Sequence, residues 1–168
     1  MARVDHLFAV PELRPAVAAL IHAEFWADKP GYTPAYFEGR LAEAADPSRL
    51  PLCRVAHEGG RLLGTASLID NDDEARPQLW PWLAAVVIVE AARGQGLGRA
   101  LVEAILDDAL KLGIPTVHLG TDKPDFYARF GAAPLEFARP DLLVMRCPTS
   151  RLRAGVAPLA FEGKRPAP

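Results

Sequence analysis

Along this chain the apolar positions switch between a period of two and a period of about 3.6, and the switches outline its elements. Residues 3–10, RVDHLFAV, predict a short first strand. Pro11 then suits the first turn of a helix, with Val17, Leu20, Ile21 and Phe25 carrying its period to about Trp26. Asp28-Lys29-Pro30-Gly31 breaks it. Thr33, as the cap before Pro34, predicts a second helix to about Ala45, with Tyr36, Phe37, Leu41 and Ala44 as its apolar stripe. Two apolar runs at 51–58 and 61–69 flank Gly59-Gly60, a hairpin signal, and the polar loop DNDDEARPQ comes next at 70–78.

The next stretch organises the rest. Residues 83–89 are apolar and largely β-branched, the pattern of a strand buried on both faces. After Glu90, Ala91 and Ala92 comes Arg93-Gly94-Gln95-Gly96-Leu97-Gly98-Arg99. From Leu97 the spacing becomes i, i+4 through Leu101, Ile105 and Ala109, so a helix opens inside the glycine run and closes near Gly113. A fifth strand is predicted at 116–120, a short helix at 125–130 closed by Gly131, and two last strands at 135–138 and 142–146 across Arg139-Pro140-Asp141. One soluble domain over 1–147 is expected, then a tail at 148–168, rich in proline, arginine and alanine, loosely ordered and free to pack on a neighbour.

Glycines between a strand and a helix N-terminus let backbone approach a ligand while unpaired N–H groups face it, which suits phosphate. The plainer alternative is a tight turn with no ligand. The dinucleotide pattern G-x-G-x-x-G fails, because Arg99 stands where its third glycine belongs, and G-x-x-x-x-G-K-[ST] is absent.

Composition narrows the classes further. With 168 residues, 50% of them hydrophobic and 24% charged, the chain has ample core for one domain. A net charge of -2 gives no general attraction to nucleic acid or anionic membranes. Cys53 and Cys147 lie in apolar, strand-like runs and are expected as buried reduced thiols, with no metal site. No secretory pattern opens the sequence and no stretch approaches ~20 uncharged apolar residues, so a cytoplasmic protein is expected.

The spacing Arg-x-x-Gly-x-Gly at Arg93, Gly96 and Gly98, between a buried strand and an amphipathic helix, resembles the pyrophosphate-binding signature of the GNAT superfamily of N-acetyltransferases. FYARFGA resembles the same family's tyrosine motif, and DNDDEARPQLWPWLAAVVI a bacterial branch of it. The resemblance runs from about Arg3 to Arg146. It implies an α/β fold with a mixed sheet of about seven strands, splayed fourth and fifth strands, and about four flanking helices. Three departures stand out. Glu90 replaces the usual proline, the coenzyme A-contacting asparagine has no counterpart near 121–125, and Ala132 replaces an aromatic residue.

The chemistry implied by the resemblance is specific. Acetyl-CoA is the co-substrate, with no metal. The backbone of Val86, Val87 and Ile88 pairs with its pantetheine arm, and the Ile88 N–H polarises the acetyl carbonyl. Amides and side chains across Arg93, Gly94, Gln95, Gly96, Leu97, Gly98 and Arg99 hold the diphosphate. Tyr127 is the general acid for the leaving sulfur. Glu24, Trp26, Asp70, Asp72 and Trp82 are expected around the acceptor, and the base is open among Asp70, Asp72, Asp73, Glu74, Glu24 and His22. The acidic loop could instead be merely solvated, and the aromatics core or rim residues.

The expected reaction is acetyl transfer to a primary amine of a small molecule by direct attack in a ternary complex. No cysteine relay is expected, since Cys53 has no activating context. Two alternatives stay open: a protein or peptide amine as acceptor, and a non-catalytic acyl-CoA sensor, for which a proton donor would have no use. The resemblance also allows a homodimer.

Overall fold

The computed structural model describes residues 1–150, and most of the predicted tail lies outside the described residues. The strands are β1 (Arg3–His6), β2 (Leu52–Glu58), β3 (Arg61–Ile69), β4 (Trp82–Ile88), β5 (Thr116–Thr121), β6 (Ala133–Arg139) and β7 (Leu142–Pro148). The helices are α1 (Arg14–Ile21), α2 (Pro34–Ala42), α3 (Leu97–Lys111) and α4 (Pro124–Ala128). The strands form a single sheet in the order β1-β2-β3-β4-β5-β7-β6. Every neighbouring pair is antiparallel except β4 and β5, which are parallel.

Side chains alternate across this sheet and build a core on each face. On β2, Leu52 and Ala56 join the cluster under α3, whereas Cys53 and Val55 join the cluster under α1 and α2. Helix α3 buries Leu101, Val102, Ile105 and Leu106 completely, each worth about 1.5–3 kcal/mol of burial. One acid lies on its buried face. Asp108 takes two hydrogen bonds from Arg54 of β2, at 2.6 and 2.7 Å, so the charge is paired where it is desolvated.

The sequence-predicted order of elements is the observed one, with shifts at their ends. β1 stops at His6 because Leu7 turns inward, 1% exposed, and starts a 3₁₀ turn. The predicted first helix has three parts: a 3₁₀ turn at Pro11–Leu13, α1 itself, and a π turn at His22–Trp26. α2 begins as predicted, with the Thr33 hydroxyl accepting the Tyr36 N–H at 3.2 Å, and ends sooner, at Ala42. β7 runs two residues further than expected, to Pro148, and the Thr149 hydroxyl then bonds the Ile114 carbonyl at 2.6 Å. Both cysteines are free and buried.

Candidate active site

The site begins with a failure of strand pairing. β4 and β5 share one register pair, Trp82 with His118, fixed by the His118 N–H to the Pro81 carbonyl at 2.8 Å. Beyond it the two strands part and leave a wedge. On its other edge β4 carries a bulge, because Ser67 opposes Ala84 and Thr65 opposes Val87, which leaves two β4 residues against one of β3 between the pairs. Ala85 takes up the extra length with φ at 53°, a left-handed backbone in which a small side chain costs least.

This bulge reverses the facing of the residues after it. Val89 donates its N–H to Leu63 at 2.9 Å and Val87 pairs with Thr65, so the Ile88 N–H and C=O turn away from β3 into the wedge. The Ile88 carbonyl accepts from Arg93 Nε at 3.1 Å. Gly64 opposite makes room, since a Cβ there would lie 2.5 Å from Ile88 Cδ1. The strand is therefore not buried on both faces along its whole length, as the apolar run suggested. Ala85, Val86 and Ile88 are half-buried along the cleft.

The glycine run meets the same wedge. Gly96, at φ 78°, sets α3 off without any side-chain cap. The helical ladder starts with Ala100 donating to the Gly96 carbonyl at 3.1 Å, so the amides of Leu97, Gly98 and Arg99 have no intrahelical acceptor. Gly98 is a close approach of another kind, because a Cβ would meet the Phe126 ring at 3.4 Å. Arg93, Arg99, Lys123 and Arg129 line this end of the cleft against Asp122, adding to the positive helix end. Gln95 is exposed and does not line the cleft.

Tyr127 stands on α4, which is set up by the Thr121 hydroxyl accepting the Lys123 N–H at 2.8 Å. Its ring is packed edge-on to Phe126 at 4.9 Å. Burial first, then the Asp122 charge, pushes its phenol up to about 12, so it holds its proton at neutral pH.

At the far end the cleft, about 1640 Å³ in all, runs between the residues following α1 and the loop 70–78. That loop is stapled. Asp73 accepts from Arg76 at 2.6 Å, Arg76 reaches Glu136 of β6 at 2.9 Å, and Asp70 accepts from Trp80 Nε1 at 2.9 Å. Asp72 has no hydrogen bond or ion pair among the described residues. It is open to solvent yet flanked by protein, and this burial together with the Asp73 charge pushes its carboxyl up to about 6. His22 is engaged by the Tyr32 carbonyl at 3.0 Å.

The sequence matches the model of the acetyltransferase (GNAT) family over residues 17–132. The chain belongs to the GNAT family. Among solved structures it resembles an acyl-CoA N-acyltransferase from Pseudomonas aeruginosa, with a TM-score of 0.61 and 24% identity over 88% of this chain and 98% of that one. A GNAT acetyltransferase from Staphylococcus aureus Mu50 gives 0.67 at 12% identity, over 89% and 100%. An aminoglycoside 6'-N-acetyltransferase complexed with coenzyme A gives 0.68 at 15%, over 88% and 97%. No curated protein matches the sequence.

For this GNAT acetyltransferase the structure brings most of the sequence-predicted residues to one cleft: Val86, Val87, Ile88, Arg93, Gly94, Gly96, Leu97, Gly98, Arg99 and Tyr127, and at the far end Glu24, Trp26, Asp70 and Asp72. Trp82 also borders this cleft but is almost wholly covered: it is 1% exposed, its indole N–H bonds the Leu79 carbonyl at 2.8 Å, and it packs on His118. Sequence reasoning missed the Ala85 bulge, which has no local signature, and Lys29, read only as part of a helix break. Among the described residues no three His, Cys, Asp or Glu side chains are grouped to hold a metal, and no helix is long and apolar enough to cross a membrane.

Proposed function

We propose that this GNAT acetyltransferase moves an acetyl group from acetyl-CoA to a primary amine of a small molecule, by direct attack in a ternary complex. The observation that carries this reading is the meeting of two sets of backbone donors in one wedge: the uncapped first turn of α3 and the outward-turned Ile88 N–H. The residues fit the co-substrate. Amides at Leu97, Gly98 and Arg99, with Arg93 and Arg99 beside them, suit a diphosphate, and the unpaired edge at Val86–Ile88 suits an amide-bearing arm laid along it. When bound, the thioester supplies an acyl carbon already open to attack.

The rest is done by side chains of this protein. Asp72 takes the proton that an ammonium acceptor must lose, which its raised pKa and its lack of a partner allow. The Ile88 N–H stabilises negative charge growing on the carbonyl oxygen. As the C–N bond forms and the C–S bond breaks, Tyr127 gives its proton to the thiolate, and its phenolate is restored, through water, by the proton that the nitrogen of the new amide must shed. Glu24 and Asp70 draw the cationic acceptor toward the wedge, and Trp26 walls it. Neither cysteine takes part, since Cys53 is 2% exposed, bonded to the Thr65 hydroxyl at 3.3 Å, and its thiol is raised by burial.

The test is thiol release from acetyl-CoA with a panel of small amines and peptides, repeated with Tyr127→Phe. Release with small amines, slowed in the variant, is the expected result. Tight coenzyme A binding with no amine consumed at any pH would replace this reading with a sensor. An acceptor confined to peptides would move it to protein substrates.

A further inference from the structure

The wall of the cleft after α1 carries more aromatic surface than folding needs. Trp26, Tyr32, Tyr36 and Phe37 form one cluster, with ring centroids 4.4 Å apart for Trp26 and Tyr32, 5.3 Å for Tyr32 and Tyr36, and 5.1 Å for Tyr36 and Phe37. Yet Tyr32 and Tyr36 remain 36% and 47% exposed, and neither hydroxyl has a partner among the described residues. An exposed cluster of rings beside a cleft marks a contact surface. A cation already rests on it, because Lys29 Nζ lies 4.1 Å from the centroid of Trp26.

The charges around this wall are unbalanced. Arg40 is tied to Glu43 at 3.1 Å and Arg76 to Asp73 at 2.6 Å. That leaves Glu24, Asp70, Asp72 and Glu74, which line the cleft together with Lys29, without an ion pair among the described residues. One of them, Asp72, feels the Lys29 charge directly. Lys29 is exposed on a flexible stem, so its ammonium can leave the ring for water at little cost.

We infer that the acceptor is a diammonium compound, two amino groups joined by an aliphatic linker, whose non-reacting ammonium takes the Trp26 face in place of Lys29 Nζ. Lys29 is then an internal stand-in for the ligand's second charge. The unpaired carboxylates balance the incoming cation, and the tyrosine faces cover its linker. A monoamine fills only the reacting position and leaves Lys29 where it is. The identity of the reacting amine rests on the acetyltransferase reading above, whereas binding of the second ammonium does not.

Calorimetry without acetyl-CoA, comparing diaminobutane with butylamine, tests the site apart from the reaction. The diamine is expected to bind roughly 3- to 30-fold more tightly, Trp26→Leu to abolish that preference, and Lys29→Met to widen it. The ratio of kcat/KM for the two amines should move the same way in all three proteins. Equal affinity for both amines, a preference that survives Trp26→Leu, or a preference narrowed by Lys29→Met would each overturn the inference. Diamine-selective binding with no acetyl transfer to any amine would uphold this site while removing the enzymatic reading. Transfer to both amines with equal efficiency would do the reverse.

Discussion

At one end of the cleft the polar groups offered to it are backbone amides, and at the other they are side chains. The first turn of α3 is held by a helix whose Leu101, Val102, Ile105 and Leu106 are locked into the sheet, so its donors keep their direction whatever residues surround them. The acidic end is built from a π turn, exposed rings and a loop stapled by Arg76. Such parts can be exchanged by substitution without disturbing the core. A group common to every turnover is best held by main chain, and a group that sets selectivity by side chains. The charges follow the same division, positive around the glycine turn and negative around Asp72.

If the two ends act separately, variants should sort by which substrate they affect. Tyr127 belongs to neither end, and Tyr127→Phe should give the largest loss, roughly 100-fold or more in kcat, with little change in KM for either substrate in steady-state assays. Asp72→Asn should cost about 100-fold in kcat/KM for the acceptor and hardly alter KM for acetyl-CoA. With Asp72 as the proposed base and its carboxyl near 6, the wild-type pH profile should fall below about 6 as the proton binds, and the variant should lose that limb. The same group bears on stability. Its folded-state pKa is raised above the ordinary 3.8, so the folded protein binds the extra proton and stability declines as pH rises through that window. Asp72→Asn should therefore melt no lower than wild type at pH 7 by calorimetry.

Smaller effects should fall at the glycine end. Gly96→Val forces a β-branched residue into φ 78°, a strain of about 1–3 kcal/mol, and should raise KM for acetyl-CoA about 10- to 100-fold. Its acceptor KM should hardly move. Arg99 is three-quarters exposed and already paired with Glu103 at 2.9 Å. Arg99→Ala should thus raise KM for acetyl-CoA only about 2- to 5-fold, and less at high salt, where exposed charges are screened. A raised acceptor KM in either variant would show that the ends are coupled.

The order of strands and helices, the Gly59-Gly60 hairpin, the Thr33 cap and the opening of α3 at Leu97 were all legible in the sequence, because each depends on contacts between residues close along the chain. So was the glycine turn, whose left-handed backbone only glycine adopts cheaply. The depth at which Trp82 sits and the mixed exposure of β4 were not, since an apolar run reads alike whether its side chains meet a core or a cleft. The roles of the acids were equally hidden. DNDDE offers four carboxylates, and only the folded loop shows Asp70 taken by Trp80 and Asp73 by an Arg76 anchored on Glu136, with Asp72 and Glu74 left without such partners among the described residues. Local spacing thus carried the elements and the glycine turn. The wedge and the reversed facing of Ile88 at the Ala85 bulge came only from the folded arrangement, because each depends on partners far apart in the chain or on a backbone geometry that no short pattern encodes.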